Sequence, residues 1–356
     1  MELNFGDELS QAAVVVFTTI VIILLICGIP SNTLFLWTLL KIKRLRIIHN
    51  AFVGNLAVSD FLITTYLLPF NLVSLLNKEA KIPDFLCQIN GIFAHIVFSS
   101  SVISVSTIAV HRYFKICHYK LCLRIYTKTI ACAVIASVWI IGILFAVPLI
   151  WMENSLIFDP TVQMCIFNRY VSQTYSIVYL FACLFTPVSV TMICYYKIYA
   201  YVIRHKRQLL TWNNGIGQTR FRNDVRSTKS TFVVFVVYLV LYSLFGVLAT
   251  FFDKHSQVAT EIHSTSIYMA YANSCVNAFI YGFMNKDVLK AYKEALRCRR
   301  SRKIKNINIL TQDGTSTQPS IFQTKSSNIK ETESPKCKTS VVQNPSQKPN
   351  SMITSI

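Results

Sequence analysis

The sequence contains seven stretches of about 20 or more predominantly apolar residues, which restrict the fold more than any other feature. A helix of about 20 apolar residues spans the hydrocarbon core of a bilayer. There the backbone can satisfy its hydrogen bonds only in a helix or a closed barrel. The stretches cover residues 12–40, 49–76, 88–116, 129–151, 172–203, 227–252 and 262–283. The sequence therefore predicts an all-α membrane protein, a bundle of seven transmembrane helices.

Polar residues interrupt two of the seven stretches, so hydropathy alone scores these two lower. The third contains Ser99, Ser100 and Ser101, and the seventh contains Asn273, Ser274 and Asn277. Polar side chains inside a membrane span are costly and are therefore candidate functional residues.

The chain is strongly basic, with a formal net charge of +19. Such a charge can indicate nucleic-acid binding, but here Lys and Arg lie between and after the apolar stretches rather than on one soluble face. Hydrophobic residues make up 53% of the chain and charged residues only 14%, which is typical of a membrane protein. We therefore expect no nucleic-acid partner.

The basic residues also predict the orientation, because short loops rich in Lys and Arg stay in the cytoplasm. They are concentrated in the first, third and fifth loops, at 41–46, 115–128 and 204–226. Residues 1–11 contain three acidic residues and no basic one, which does not suit a signal peptide. We expect a multi-pass plasma-membrane protein with segment 1–11 outside, the seven-helix domain over 12–283, and the C-terminus inside.

Two segments follow the last span. Residues 284–298 alternate apolar and basic side chains at a spacing that predicts an amphipathic helix on the inner membrane face. Cys298 at its end is either a palmitoylation site or an ordinary cytosolic thiol. Residues 299–356 are rich in Ser, Thr, Gln, Asn and Lys, which predicts a disordered cytoplasmic tail. Its Ser and Thr residues either keep it soluble or are phosphorylated by receptor kinases and then bind arrestin.

Polar and aromatic motifs recur in the spans in a characteristic order. They are Asn32, Asn55 to Asp60, Arg112-Tyr113, Trp139, Pro187 with Tyr195, and Asn277 to Tyr281. Over about residues 12–298, the chain resembles the rhodopsin-like (class A) family of G-protein-coupled receptors. The resemblance implies conversion of extracellular ligand binding into activation of a heterotrimeric G protein.

The resemblance implies a polar pocket around a buried carboxylate at mid-membrane. Its residues would be Asn32, Asp60, Ser101, Asn273, Ser274 and Asn277. These oxygen groups suit an allosteric sodium ion, and the alternative is a water-filled hydrogen-bond network. No other cofactor is expected.

At the inner end, the resemblance assigns G-protein coupling and activation to His111, Arg112, Tyr113, Tyr195 and Tyr281. His111 stands where the family usually has an acid, so Asp224 on the sixth helix is predicted as a substitute partner of Arg112, or else as a solvated loop residue. The sixth helix has Leu241-Tyr242-Ser243-Leu244 where the family has a proline, which removes the usual kink. At the outer end, the resemblance implies a disulfide between Cys87 and Cys165.

Three stretches look most like melatonin receptors and related moody-like receptors, namely Arg112 to His118, Phe232 to Tyr238 and Ala272 to Ala278. Cys183 and Leu149 stand where melatonin receptors have His and Asn, which argues against melatonin itself. The predicted ligand-facing residues are Ala94, His95, Phe98, Tyr179, Cys183, Tyr242, Phe245, Ala249, Ile267 and Tyr271.

These ligand-facing residues are mostly apolar and aromatic. Ala94 provides no counter-ion for an amine, and Tyr271 provides no lysine for a retinal Schiff base. His95 is either a polar anchor for the ligand or a packed side chain. We therefore expect a neutral or lipophilic small molecule or a short peptide.

The alternatives to a G-protein-coupled receptor are a transporter, an atypical receptor and an enzyme. A transporter would show internal repeats and broken helices, and we find none in the sequence. An atypical receptor would bind or scavenge ligand without coupling, as His111 and the proline-free sixth helix allow. An enzyme would need a nucleophile with a paired base, a metal-ligand cluster or a phosphate-binding loop, and the sequence offers no such motif.

Overall fold

A computed structural model of the protein describes residues 9–77, 82–160, 162–168, 171–211, 215–251, 260–285 and 288–295. Residues 206–211, 215–220, 222, 245–247, 249–251 and 260 within these ranges are described by their backbone only. Residues 1–8 of the predicted outer segment, Cys298 and the predicted tail at 299–356 lie outside the described residues.

The described residues form seven long helices, which we name in chain order. The first is Gln11–Lys41, the second Ile48–Leu76, the third Asp84–Cys117 and the fourth Lys128–Trp151. The fifth consists of the consecutive segments Gln173–Leu180, Phe181–Phe185 and Thr186–Thr211, the sixth is Gly215–Phe251 and the seventh is Thr260–Met284. Shorter helical elements are Lys43–Leu45, Tyr119–Ile125 and 288–295.

Six of these helices, all but the seventh, are long and apolar enough to cross a membrane when the described residues are searched. The seventh falls short because it carries Asn273, Ser274 and Asn277. The fifth helix extends to Thr211 and the sixth begins at Gly215, so both are longer than the apolar stretches predict. Hydropathy detects only the part of a helix that lies in lipid, whereas polar turns can continue the same helix in water.

Side chains fix where several helices begin. The hydroxyl of Ser10 accepts a hydrogen bond from the Ala13 amide, and Thr127 and Ser172 cap the fourth and fifth helices in the same way. Such caps satisfy amides that have no partner inside the helix. The second and fifth helices each contain one π-helical turn, at Ile63–Leu67 and Phe181–Phe185. Such turns often occur at functional sites, and the second of them carries Cys183.

A β-hairpin connects the fourth and fifth helices. Strand β1 (Leu156–Asp159) pairs antiparallel with β2 (Met164–Phe167), and Phe158 faces Cys165 in the register. Cys165 is disulfide-bonded to Cys87 of the third helix, across 78 residues of sequence and with a Cα–Cα distance of 5.3 Å. The predicted disulfide is confirmed. We call this end of the bundle the hairpin end and the opposite one the Arg112 end.

Close approach of the third and fourth helices depends on a glycine. A Cβ atom on Gly142 would lie 2.9 Å from the Ile96 carbonyl oxygen and 2.9 Å from Ser100 Oγ. No side chain fits without moving the backbone of the third helix. We expect Gly142→Val to lower the free energy of unfolding by about 1–3 kcal/mol, as overpacking does elsewhere.

Thermal unfolding of the purified receptor checks this expectation. Ala136→Val adds methyl groups at an exposed position of the same helix and serves as the control. Equal melting temperatures for the two variants would contradict the proposed contact.

Candidate functional site

The residues predicted to face a ligand meet at the hairpin end. Ser99 Oγ lies 3.1 Å from the Tyr179 hydroxyl, and Cys183 Sγ lies 3.6 Å from Ser99 Oγ. The His95 ring is 5.1 Å from the Tyr179 ring, measured between centroids. These contacts join the third helix to the π-helical turn of the fifth and leave Ser99 and Tyr179 as the polar groups of the cluster.

The seventh and sixth helices complete this cluster. The Phe98 ring is 5.2 Å from Tyr271, and Tyr242 stacks on Tyr238 with centroids 4.5 Å apart. Tyr242 also lies near Tyr179 and Tyr271. Ala94 and Ile267 pack against the apolar core cluster that contains Tyr271. The structure describes Phe245 and Ala249 by their backbone only, so their side chains are not placed.

His95 has a local partner. Its Nδ1 atom is 2.9 Å from the Gly91 carbonyl oxygen one turn earlier in the third helix. The ring also packs against Tyr179 and Phe167. With Nδ1 donating to Gly91, Nε2 is the acceptor that a ligand could use.

The tip of the β-hairpin inserts between the second and seventh helices. Val162 has no exposed surface, and its carbonyl oxygen accepts hydrogen bonds from Asn71 Nδ2 at 3.2 Å and from the Tyr268 hydroxyl at 3.3 Å. Asn71 also donates to the Gln163 carbonyl oxygen at 3.1 Å. The hairpin therefore fills this part of the bundle and leaves the Ser99–Tyr179 region as the candidate ligand site.

The predicted polar pocket lies between the two ends. Asp60 is fully buried, and Asn277 Nδ2 donates to its Oδ2 atom at 2.9 Å. Asn32 Nδ2 donates to the Ser274 carbonyl oxygen at 2.9 Å and so joins the first helix to the seventh. Ser101 is buried and lies near the Asp60 carboxylate.

Several oxygen atoms of this pocket lack a hydrogen-bond donor among the described residues. They are Asn32 Oδ1, Asp60 Oδ1, Asn273 Oδ1, Asn277 Oδ1 and Ser274 Oγ. Buried acceptors of this kind need a donor or a cation, and hard oxygen ligands suit hard cations. The residues present therefore fit a sodium ion.

At the Arg112 end, the guanidinium of Arg112 is almost fully buried. It contacts His49 of the second helix and Ser227 of the sixth. His111, next to it, packs edge-on to Tyr126 at 4.8 Å between ring centroids. A neutral residue thus occupies the place where the family usually has an acid.

Asp224 does not form an ion pair with Arg112, in contrast to the prediction. Its Oδ1 atom is 3.0 Å from Lys115 Nζ. Lys115 lies one turn beyond Arg112 on the third helix, and its long side chain reaches the sixth helix from there. Asp224 still interacts with Arg112 electrostatically, but it lies on a helix and is half-buried rather than a solvated loop residue.

The three predicted tyrosines differ in their surroundings. Tyr195 and Tyr281 are buried, and both lie near Arg112. Tyr113 instead faces away from it, with its hydroxyl 3.0 Å from His118 Nε2 and with Lys197 Nζ 5.6 Å from its ring centroid. Tyr195 and Tyr281 are therefore the two predicted tyrosines whose side chains share the surroundings of Arg112.

A short helix over 288–295 follows the seventh helix. It buries Val288, Ala291 and Ala295, and Glu294 pairs with Arg44 at 3.0 Å. A Cβ atom on Gly282 would lie 2.6 Å from Tyr292, so this glycine allows the short helix to pack closely against the seventh. Over 288–295, the described part of the segment predicted at 284–298 to form an amphipathic helix, apolar residues are buried and charged ones are more exposed.

Sequence reasoning missed Tyr238, Val162, His49 and Ser227, and it named Ser99 as a polar residue of the third span without assigning it to the ligand site. Helical spacing contains a signal for Ser99 and Tyr238, because Ser99 follows His95 by four residues and Tyr238 precedes Tyr242 by four. The other three contact residues distant in sequence, which no local pattern indicates.

Comparison with known proteins adds three findings. Residues 31–281 match the 7 transmembrane receptor (rhodopsin family). The chain is 29% identical to melatonin receptor type 1A of Ovis aries over 292 residues, covering 81% of this chain and 77% of that receptor. It is 28% identical to melatonin receptor type 1C of Xenopus laevis over 300 residues, covering 83% of this chain and 70% of that receptor.

The crystal structure of squid rhodopsin is similar, with a TM-score of 0.73 over 82% of this chain and 87% of that chain, at 20% identity. This likeness supports the seven-helix fold alone. The relatives are receptors, which confirms that this multi-pass plasma-membrane protein is not an enzyme. Because the family match covers more than half of the sequence, the chain belongs to the rhodopsin family of seven-transmembrane receptors.

Proposed function

We propose that this receptor binds an extracellular ligand at the hairpin end and, in response, activates a heterotrimeric G protein at the Arg112 end. The hairpin end would face outward, as the basic inner loops require. The observation that carries the proposal is the buried Arg112, which contacts the sixth helix through Ser227. A ligand that changes the position of the sixth helix would change the exposure of Arg112.

The ligand class follows from the residues around Ser99 and Tyr179. They offer aromatic faces, one hydroxyl pair and the His95 ring, without an acidic side chain at position 94. A neutral or lipophilic small molecule, or a short peptide, matches these groups. The relatives are melatonin receptors, but Cys183 and Leu149 provide neither the imidazole nor the amide expected for melatonin. We therefore propose a ligand of similar lipophilic character rather than melatonin itself.

A screen in cells tests the ligand and the coupling together. Cells that express the receptor are assayed for activation of each G-protein class, first without ligand and then with melatonin and with lipophilic and peptide fractions. We expect at least one fraction to increase the activation of one G-protein class. Tyr179→Phe, which keeps the ring and removes the hydroxyl, should weaken that response. A flat response at normal surface expression would contradict coupling.

A non-coupling receptor is the second candidate. It is favoured by the sixth helix, which runs without interruption from Gly215 to Phe251. Helices without a proline or a comparable irregularity rarely kink, so outward movement would need a rigid tilt. Saturable binding of a ligand without activation of any G-protein class would identify this alternative.

We also propose that sodium binds the Asp60 pocket. Sodium that binds only the folded receptor stabilises it by about 1.4 kcal/mol at ten times its Kd. The melting temperature should therefore be higher in NaCl than in KCl of equal ionic strength, and Asp60→Asn should remove the difference.

Ser59→Ala, which changes a buried neighbour of Asp60 on the same helix, should keep the sodium effect. Equal melting temperatures of the unmodified receptor in the two salts would favour the water-filled network instead.

The proposal extends to partners of the inner surface. The Ser and Thr residues of 299–356 would be phosphorylated by receptor kinases and then bind arrestin, since phosphate adds negative charge. The short helix 288–295 would lie on membrane lipid, with Cys298 as the palmitoylated residue. Phosphopeptide mapping of the tail and acyl exchange at Cys298 test these two parts.

A further inference from the structure

The guanidinium of Arg112 is buried without an acid in direct contact among the described residues. Its side chain is 1% exposed, and the nearest acid of the sixth helix, Asp224, is bound to Lys115. A buried charge needs compensating hydrogen bonds. Here His49 and Ser227 provide the contacts. They come from two different helices, the second and the sixth.

The ring of His49 is held in position by its neighbours. It stacks on His111 with centroids 5.8 Å apart and an angle of 15° between the planes. His111 is in turn fixed by Phe52, at 5.4 Å, and by Tyr126. The start of the second helix is anchored by Asn50, which donates to the Leu45 carbonyl oxygen at 2.8 Å. His49 can therefore present Nε2 as an acceptor to Arg112, provided that the proton lies on Nδ1.

We propose that His49 and Ser227 form a clasp that holds Arg112 between the second and sixth helices in the resting receptor. This inference rests on the proposed function, since it explains how Arg112 is kept from a G protein. The clasp replaces the acid partner that His111 does not supply. Because both partners are neutral, no ion pair has to be separated when Arg112 moves, and removing either partner favours the released state.

A second contact joins the third helix to the sixth. Lys115 of the third helix and Asp224 of the sixth are 3.0 Å apart, and both are half-buried. This pair does not contact the guanidinium of Arg112 directly. Because its removal would also separate the third and sixth helices, the control variant has to lie outside both the pair and the clasp.

The test compares variants that remove one partner with variants that keep its chemistry. His49→Phe keeps a ring for stacking and removes the acceptor, while Ser227→Ala removes the hydroxyl. Ser227→Thr keeps a hydroxyl, and Arg44→Ala, which removes an exposed ion pair at the same end, is the control. The purified full-length receptor carries spin labels at the exposed positions Arg124 and Arg226, attached through unnatural amino acids because the chain has 11 cysteines. Label distances and ligand-free GDP release from a G protein are measured.

We expect His49→Phe and Ser227→Ala each to raise the population with a long label distance about tenfold, the effect of losing one hydrogen bond to a charged group. Ser227→Thr should return it to the unmodified level, and Arg44→Ala should change it less than about threefold, because exposed ion pairs contribute little. Unchanged distances in both His49→Phe and Ser227→Ala, with normal melting temperatures, would overturn the clasp. Longer distances without faster GDP release would support the clasp and contradict the proposed coupling.

Discussion

A receptor without the Cys87–Cys165 disulfide is expected to lose about 4 kcal/mol of unfolding free energy. The bond closes a loop of 78 residues of sequence separation, and a crosslink over a loop of this size restricts the unfolded chain by about that amount. The double substitution Cys87→Ser, Cys165→Ser should therefore fall below the stability that surface expression requires. Thermal unfolding in detergent and cell-surface labelling measure the effect.

Loss of the disulfide should also weaken the attachment of the β-hairpin to the helices. Cys165 lies in β2, three residues beyond Val162, whose carbonyl oxygen binds Asn71 and Tyr268. Cys132→Ser removes a free, exposed cysteine of the fourth helix and is the matched control. Equal melting temperatures for the double variant and the control would show that the hairpin is held without the bond.

Removal of the Arg112 side chain is expected to reduce GDP release from the G protein at least about thirtyfold. Truncating one charged partner of a buried contact costs about 2 kcal/mol or more, and Arg112 is the charged side chain that the proposed function assigns to the contact with the G protein. The change Arg112→Ala can be tested before a ligand is known, in the Ser227→Ala background in which ligand-free release should be elevated.

Arg44→Ala provides the comparison for Arg112→Ala. Arg44 lies at the same end and pairs with Glu294, but both side chains are more than 40% exposed, and surface ion pairs contribute little. We expect less than about a threefold change in GDP release. If Arg112→Ala were as active as Arg44→Ala, Arg112 would not be part of the coupling surface.

The membrane helices could be predicted because their signal is local. Apolar length locates the part of each helix within lipid to a few residues, as the third helix, predicted at 88–116 and observed at Asp84–Cys117, illustrates. The helical start of the sixth at Gly215 could not be predicted this way, because its first turns are polar. The Cys87–Cys165 bond came from the family resemblance rather than from the spacing of cysteines.

Contacts of the candidate site could be predicted where the family resemblance identifies both residues. They could not be predicted where a long side chain has two possible partners. Asp60 and Asn277 lie in direct contact, in agreement with the pocket that the resemblance implies. Asp224 lies in the expected place but bonds Lys115 rather than Arg112. Which of two nearby cations an acid contacts depends on side-chain geometry, which sequence patterns do not contain.

GDP release from purified heterotrimeric G proteins, with the receptor in lipid nanodiscs, tests the central claim most directly. The account predicts that the receptor accelerates release from at least one G-protein class, that a ligand found in the cell screen increases the rate further, and that Arg112→Ala returns the rate to that of empty nanodiscs. A folded receptor whose rates match empty nanodiscs for every class, with and without ligand, would contradict it.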